Sequence, residues 1–172
     1  AFYAFREPEL TERYYSHAKR VKCCKCGFVY SNPQLTEKAL HKKYQTTYNK
    51  EVKVVYEKEV PGSNQFLSEL SQTVKDPAQI RVLDIGCNLG SWLNIAQEFG
   101  FSVFGVEIAS NCVDYARSVF GLKNVKNTDL FDARYPDNFF NAVLLWHVLE
   151  HVSDPLALLK ETKRILKPGG TL

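Results

Sequence analysis

Asp84 and Glu107 place two carboxylates on either side of a glycine-bearing turn, a combination suited to holding a sugar and a positive charge together. Val82-Leu83-Asp84-Ile85-Gly86-Cys87-Asn88-Leu89-Gly90 reads as a strand running into a turn and then a helix, where an open α/β sheet receives its ligand. Glycines at such a turn let backbone and ligand approach closely. Glu107 ends the next strand 23 positions after Asp84, close to the spacing of about 20 residues between a glycine turn and the acid that accepts ribose hydroxyls. These features predict an adenosine-containing cofactor. A dinucleotide fingerprint starting at Gly86 would need glycine at the positions held by Asn88 and Ser91. Asp84 would also repel a diphosphate and attract an ammonium or sulfonium, so the electrostatics favour a cationic cofactor.

The elements that must position these residues follow from hydrophobic patterning. Short apolar runs at Arg81 to Ile85, Ser102 to Glu107, Asn124 to Thr128 and Phe140 to Trp146 alternate with helical stripes through Trp92, Ile95, Ala96 and Phe99, then Val113, Ala116 and Phe120. That rhythm predicts an α/β fold with a parallel sheet. Asp154 and Pro155 mark the start of a last helix, whose face carries Leu156, Leu159, Ile165 and Leu166 and which is expected to end near Pro168-Gly169-Gly170. Upstream, Ser63 opens a helix with Phe66, Leu67, Leu70 and Val74 on one face, ended by Lys75-Asp76-Pro77. Thr36 is expected to cap another carrying Ala39, Leu40 and Tyr44.

Taken in order, these segments resemble the class I S-adenosylmethionine-dependent methyltransferases over residues of about 80 to 172. Val82 to Leu93 is similar to the family's first motif, Gly105-Val106-Glu107-Ile108 to its second strand and Thr128-Asp129-Leu130 to its third. Phe140 to Val143 with His147 to Pro155 resembles the fourth, and Arg164 to Gly170 the lead-in to the fifth. The resemblance implies a Rossmann-like methyltransferase sheet with about five of its strands present, S-adenosylmethionine as cofactor and a small-molecule methyl acceptor, a sugar or other metabolite. It implies that Gly86 and Gly90, with Asp84, Cys87 and Asn88, frame the methionine part, that Glu107 beside Ile108 holds the ribose diol, and that Asp129 with Leu130 borders the adenine. Trp146 and His147 would line the reaction side, with His147 the candidate catalytic base. The family's middle glycine is here Asn88, which tolerates a left-handed backbone better than other non-glycine residues.

Alternatives stand beside these assignments. Glu107 also reads as a solvated strand-end acid, Asp129 as the support of a loop before a helix, and His147 as a structural or merely substrate-lining imidazole. His147-Val148-Leu149-Glu150-His151 matches the inverted zinc-peptidase pattern, but its place at a strand end rather than in a long helix disfavours a peptidase. Glu150 and His151 are either ligands of a divalent cation, as in some methyltransferases, or structural. Competing functional classes are a nicotinamide-dependent oxidoreductase and a non-catalytic binding module built on a cofactor fold.

Five cysteines complete the chemical inventory. Cys87 and Cys112 sit in apolar runs without basic neighbours and read as buried thiols. Cys23-x-x-Cys26-Gly27, between short strands at Val21 to Cys23 and Phe28 to Tyr30, resembles the second half of a zinc ribbon. Cys23 and Cys26 are therefore candidate metal ligands, with zinc expected in the intact parent protein and His17 or Cys24 at best completing an irregular site. The resulting division is a partial zinc-ribbon-like knuckle over 1–35, a helical cover over 36–77 and the methyltransferase domain over 78–172. The chain lacks methionine, begins at Ala1 and stops at Thr171-Leu172. It is therefore expected to be truncated at both ends, without the final strands of the sheet and with weak cofactor binding and little turnover.

A net charge of +3 from 22 basic and 19 acidic residues spread along the length argues against an obligatory nucleic-acid partner. No apolar run is long enough to cross a bilayer and no secretion signal opens the chain, so a cytoplasmic protein without a membrane partner is expected. Oligomeric state is not encoded in any readable pattern.

Overall fold

The computed structural model describes residues 2–4, 20–31, 39, 42, 63–72 and 74–172. Three short strands, β1 (Phe2–Ala4), β2 (Arg20–Cys23) and β3 (Val29–Ser31), form an antiparallel sheet in that order. Two strands around the cysteine turn were expected; β1 is an addition. Its three residues pair with β2 in the register Phe2↔Cys23 to Ala4↔Val21, a long-range match too short to leave a sequence pattern. Helix α1 (Ser63–Gln72) follows. It ends before Val74, and Asp76 instead caps a separate 3-10 turn at Pro77–Gln79. The helix expected after Thr36 lies outside the described residues except at Ala39 and Lys42, both helical.

From Arg81 the chain alternates strand and helix: β4 (Arg81–Ile85), α2 (Ser91–Glu98), β5 (Ser102–Glu107), α3 (Ser110–Phe120), β6 (Val125–Asn127), α4 (Leu130–Ala133), β7 (Phe140–Leu144), α5 (Pro155–Ile165) and β8 (Leu166–Thr171). The strand order is β6-β5-β4-β7-β8 and every pairing is parallel. The chain therefore winds outward from β4 in both directions, and the crevice where the order reverses lies beyond the end of β4. Central β4 is nearly continuously buried, as expected of a strand covered on both faces.

Two apolar layers enclose the sheet. On one face Val82, Val103, Val125 and Ala142 meet Trp92, Leu93 and Ala96 of α2, Val113 and Ala116 of α3, and Leu67 of α1. Full burial of Leu67 explains why α1 belongs to this layer rather than standing as a separate cover. On the other face Leu83, Ile85, Val106 and Val143 meet Leu130, Ala133, Leu158 and Ile165.

Three further boundaries differ from the sequence reading. The last helix stops at Ile165, and Leu166 to Thr171 forms an edge strand instead of a helical tail. Its pairing with β7 shifts register between Phe140 and Ala142, which accommodates Pro168 and the positive φ of Gly169. β7 ends at Leu144, leaving Trp146 and His147 beyond the strand. β6 is limited to Val125–Asn127, shorter than the run from Asn124 to Thr128.

Candidate functional site

The turn after β4 is built from backbone. Gly86 N–H and Cys87 N–H both donate to the Val106 carbonyl, at 2.9 and 3.2 Å, and Gly90 N–H donates to Cys87 O at 2.9 Å. Gly86 and Gly90 have φ of 70° and 83°, in the left-handed region. A Cβ at Gly90 would lie 2.5 Å from Leu122 Cδ1 and 3.1 Å from Ala116 Cβ, so glycine is required both by conformation and by the seating of α2 against α3.

Asn88 occupies the middle of the turn with φ 49°. Its N–H donates to Glu107 Oε2 at 3.0 Å, while Ala109 N–H donates to Oε1 at 2.8 Å. Both carboxylate oxygens are thus oriented by backbone amides from the ends of two neighbouring strands. Cys112 Sγ–H donates to Asn88 Oδ1 at 3.4 Å. This last contact joins residues 24 apart through the first turn of α3, and no local pattern signals it.

Asp84 is buried at the end of β4. Burial first, and the like charge of Glu107 second, push its carboxyl well above the usual range. Burial also raises Glu107 against the opposing pull of the Ala109, Asn88 and Ile108 amides. Two acids that burial makes costly to ionise together are complementary to a cation, and a diphosphate would make that cost worse. The residues present therefore fit a sulfonium- and ammonium-bearing nucleoside better than a dinucleotide.

The other predicted positions divide by role. Cys87 is buried against the space above Gly105, and burial pushes its thiol far up; burial raises Cys112 to about 12. Both thiols are buried. Ile108 is half-buried beside Glu107. Asp129 caps α4, accepting from Asp132 N–H at 2.9 Å, and the Leu130 side chain lies in the second core layer. Trp146 and His147 lie past β7, their rings edge to face with centroids 5.1 Å apart, and both are exposed. His147 has φ 54°, and its Nδ1 lies 2.8 Å from Glu150 Oε1.

Cys23 and Cys26 lie on a tight turn closed by Gly27 N–H to Cys23 O at 2.9 Å. Hydrogen bonds from the Cys26 and Lys25 amides lower the Cys23 thiol. Two thiols are half of a tetrahedral zinc site, and among the described residues no cluster of three His, Cys, Asp or Glu side chains could hold a metal. Zinc therefore does not fit the described residues, and Glu150 with His151 form no such cluster either; His17 lies outside them.

Comparison with known proteins identifies the family. Residues 56–172 match the methyltransferase domain family model. Over 98 residues the chain is 37% identical to the ubiquinone biosynthesis O-methyltransferase of Xanthomonas campestris pv. campestris, covering 54% of this chain and 41% of that protein. It spans under half the length of the curated relatives it matches. The PH0226 protein of Pyrococcus horikoshii superposes with a TM-score of 0.54 at 25% identity, over 74% of this chain and 63% of that one. The Haemonchus contortus phosphoethanolamine N-methyltransferase 2, solved with phosphomonomethylethanolamine and S-adenosylhomocysteine, superposes with a TM-score of 0.50 at 31% identity, over 62% of this chain and 26% of that one. A cation-suited acid pair beside a glycine turn at the sheet's switch point, within a match covering most of the sequence, places this chain in the S-adenosylmethionine-dependent methyltransferase domain family.

Proposed function

We propose that the chain binds S-adenosylmethionine on the Gly86 to Gly90 turn and directs its methyl group to a hydroxyl of a small organic acceptor. The observation that carries this reading is the Glu107 carboxylate, aimed by the Asn88 and Ala109 amides while Asp84 lies buried beside it. In this reading Glu107 accepts the ribose hydroxyls, and Gly86, Cys87, Asn88 and Gly90 with Asp84 face the amino-acid end. Ile108, Asp129 and Leu130 border the adenine. Trp146 covers the reaction side. When bound, the cofactor supplies an electrophilic sulfonium methyl; the protein's task is then in-line positioning and removal of the acceptor's proton. His147, exposed beyond β7, is the base in this scheme. Hydroxyl acceptors are favoured because the Xanthomonas relative is named as an O-methyltransferase.

Calorimetric titration tests the cofactor assignment. S-adenosylhomocysteine is expected to bind saturably and NADH not at all; the reverse result would replace this reading with a nicotinamide-dependent one. Glu107→Gln should weaken S-adenosylhomocysteine about tenfold to a hundredfold, since it removes charge-assisted hydrogen bonds. Methylation of catechol, followed by mass spectrometry, tests the acceptor class separately.

A further inference from the structure

His147 is a non-glycine residue in the left-handed region, with φ 54°. Strain of this kind persists where the surroundings enforce it and is concentrated at functional sites. Here the residues that follow do the enforcing: His151 N–H donates to Val148 O at 2.9 Å, closing the 3-10 turn Leu149–His151, and that turn carries Glu150 back toward the imidazole. Glu150 Oε1 lies 2.8 Å from His147 Nδ1. A carboxylate only accepts, so the contact requires a proton on Nδ1, and in the neutral imidazole this leaves the lone pair on Nε2. The Trp146 ring stands edge to face against the imidazole. Desolvation opposes ionisation of Glu150, but its own backbone amide, the His147 hydrogen bond and the nearby His151 hold its carboxyl below the usual range. The acceptor role is therefore available at neutral pH.

We propose that Glu150 is a positioning residue: by accepting from His147 Nδ1 it holds the imidazole in the tautomer whose Nε2 takes the proton of the methyl acceptor. This rests on the methyl-transfer reading above. In the step, the acceptor's O–H bond breaks toward Nε2 as its oxygen forms the new O–C bond. The methyl–sulfur bond breaks with its electron pair remaining on sulfur, leaving a neutral thioether. The imidazolium so formed is stabilised by the Glu150 carboxylate it already touches.

Long-range proton–nitrogen NMR of the isotope-labelled full chain reads the tautomer without needing a substrate. His147 is expected to show the Nδ1–H pattern, Glu150→Ala to shift it toward the Nε2–H form common in water, and Glu150→Gln, which keeps an accepting oxygen, to restore much of it. S-adenosylhomocysteine affinity should be the same in all three, which separates positioning from folding. Catechol methylation by Glu150→Ala should fall about tenfold, within the range of a general base, with an unchanged KM for S-adenosylmethionine. An Nε2–H tautomer in the unsubstituted chain, or a tautomer indifferent to Glu150→Ala, overturns the proposal. Loss of cofactor binding in the unsubstituted chain overturns the methyl-transfer reading instead, and the tautomer result still decides whether Glu150 orients His147.

Discussion

Asn88 shows how one residue can meet conflicting requirements. Its φ of 49° is a conformation that costs an ordinary L-residue about 1–2 kcal/mol. Its amide is needed by Glu107 and its side-chain oxygen accepts from Cys112. Asn88→Ala keeps the backbone donor but loses both the tolerance of left-handed geometry and the Cys112 contact. It should destabilise the chain by about 1 kcal/mol in urea denaturation, whereas Asn88→Gly should stay within a few tenths because glycine accepts this φ. Equal stability of the alanine variant and the unsubstituted chain would mean that the turn relaxes without cost. At the same scale, the Asp129 side chain caps α4 and the Leu130 side chain lies in the core, so in the proposed reading it is their backbone that would border the adenine.

At the scale of elements, the site depends on how closely the helices approach the sheet. Gly105 in β5 is enclosed by three elements: a Cβ there would lie 2.8 Å from both Cys87 Sγ and Leu93 Cδ1 and 3.2 Å from Val125 Cγ2. These neighbours come from the turn after β4, from α2 and from β6, so a Cβ at this position presses on three elements at once. Gly105→Ala should cost about 1–3 kcal/mol by overpacking and should also weaken S-adenosylhomocysteine binding, since displacement of Cys87 shifts its turn. Titration of the variant while it remains folded checks this; intact affinity would show that the strain is relieved through Val125 instead. On the opposite side, Arg164 of α5 donates to Tyr135 O at 2.7 Å and to Glu161 Oε1 at 2.5 Å, and pairs with Asp137. This network fastens α5 to the segment leading into β7, and hence to the strand that delivers His147.

For the molecule as a whole, buried Asp84 and half-buried Glu107 make stability and ligand charge interdependent. In the unfolded chain Asp84 and Glu107 ionise near their ordinary values of 3.8 and 4.5, whereas in the folded chain both are raised. As pH climbs past those ordinary values, the unfolded chain releases protons that the folded chain still holds, so this contribution falls with rising pH until the folded carboxyls ionise. In the absence of cofactor, Asp84→Asn should therefore raise the melting temperature at neutral pH, and its advantage should shrink as pH falls toward 3.8. An ammonium-bearing ligand should narrow the difference by favouring the ionised pair. Thermal melts across pH, with and without S-adenosylhomocysteine, measure this; a constant Asp84→Asn difference at all pH values would show that Asp84 does not titrate on unfolding.

Much of this organisation is local in origin and was readable from residue order. The near-continuous burial of β4, the Asp154-Pro155 start of α5 and the glycines of the turn after β4 each follow from one segment's own apolar run, capping pattern or backbone freedom. The acid pair was legible for the same reason, because successive strand ends in a parallel sheet fall at nearly constant spacing. What required tertiary structure was decided between segments. Pairing with β7 drew Leu166 to Thr171 out of helix and into an edge strand, and β2 captured Phe2–Ala4. Folding of Glu150 onto a strained His147 turned a pattern readable as metal ligands into a hydrogen-bonded pair. Strand partners, register and side-chain encounters depend on which surfaces meet. The sequence alone therefore determined that a glycine turn flanked by Asp84 and Glu107 follows β4, while the folded chain determined how Asn88, Cys112 and Glu107 are joined there and what His147 faces.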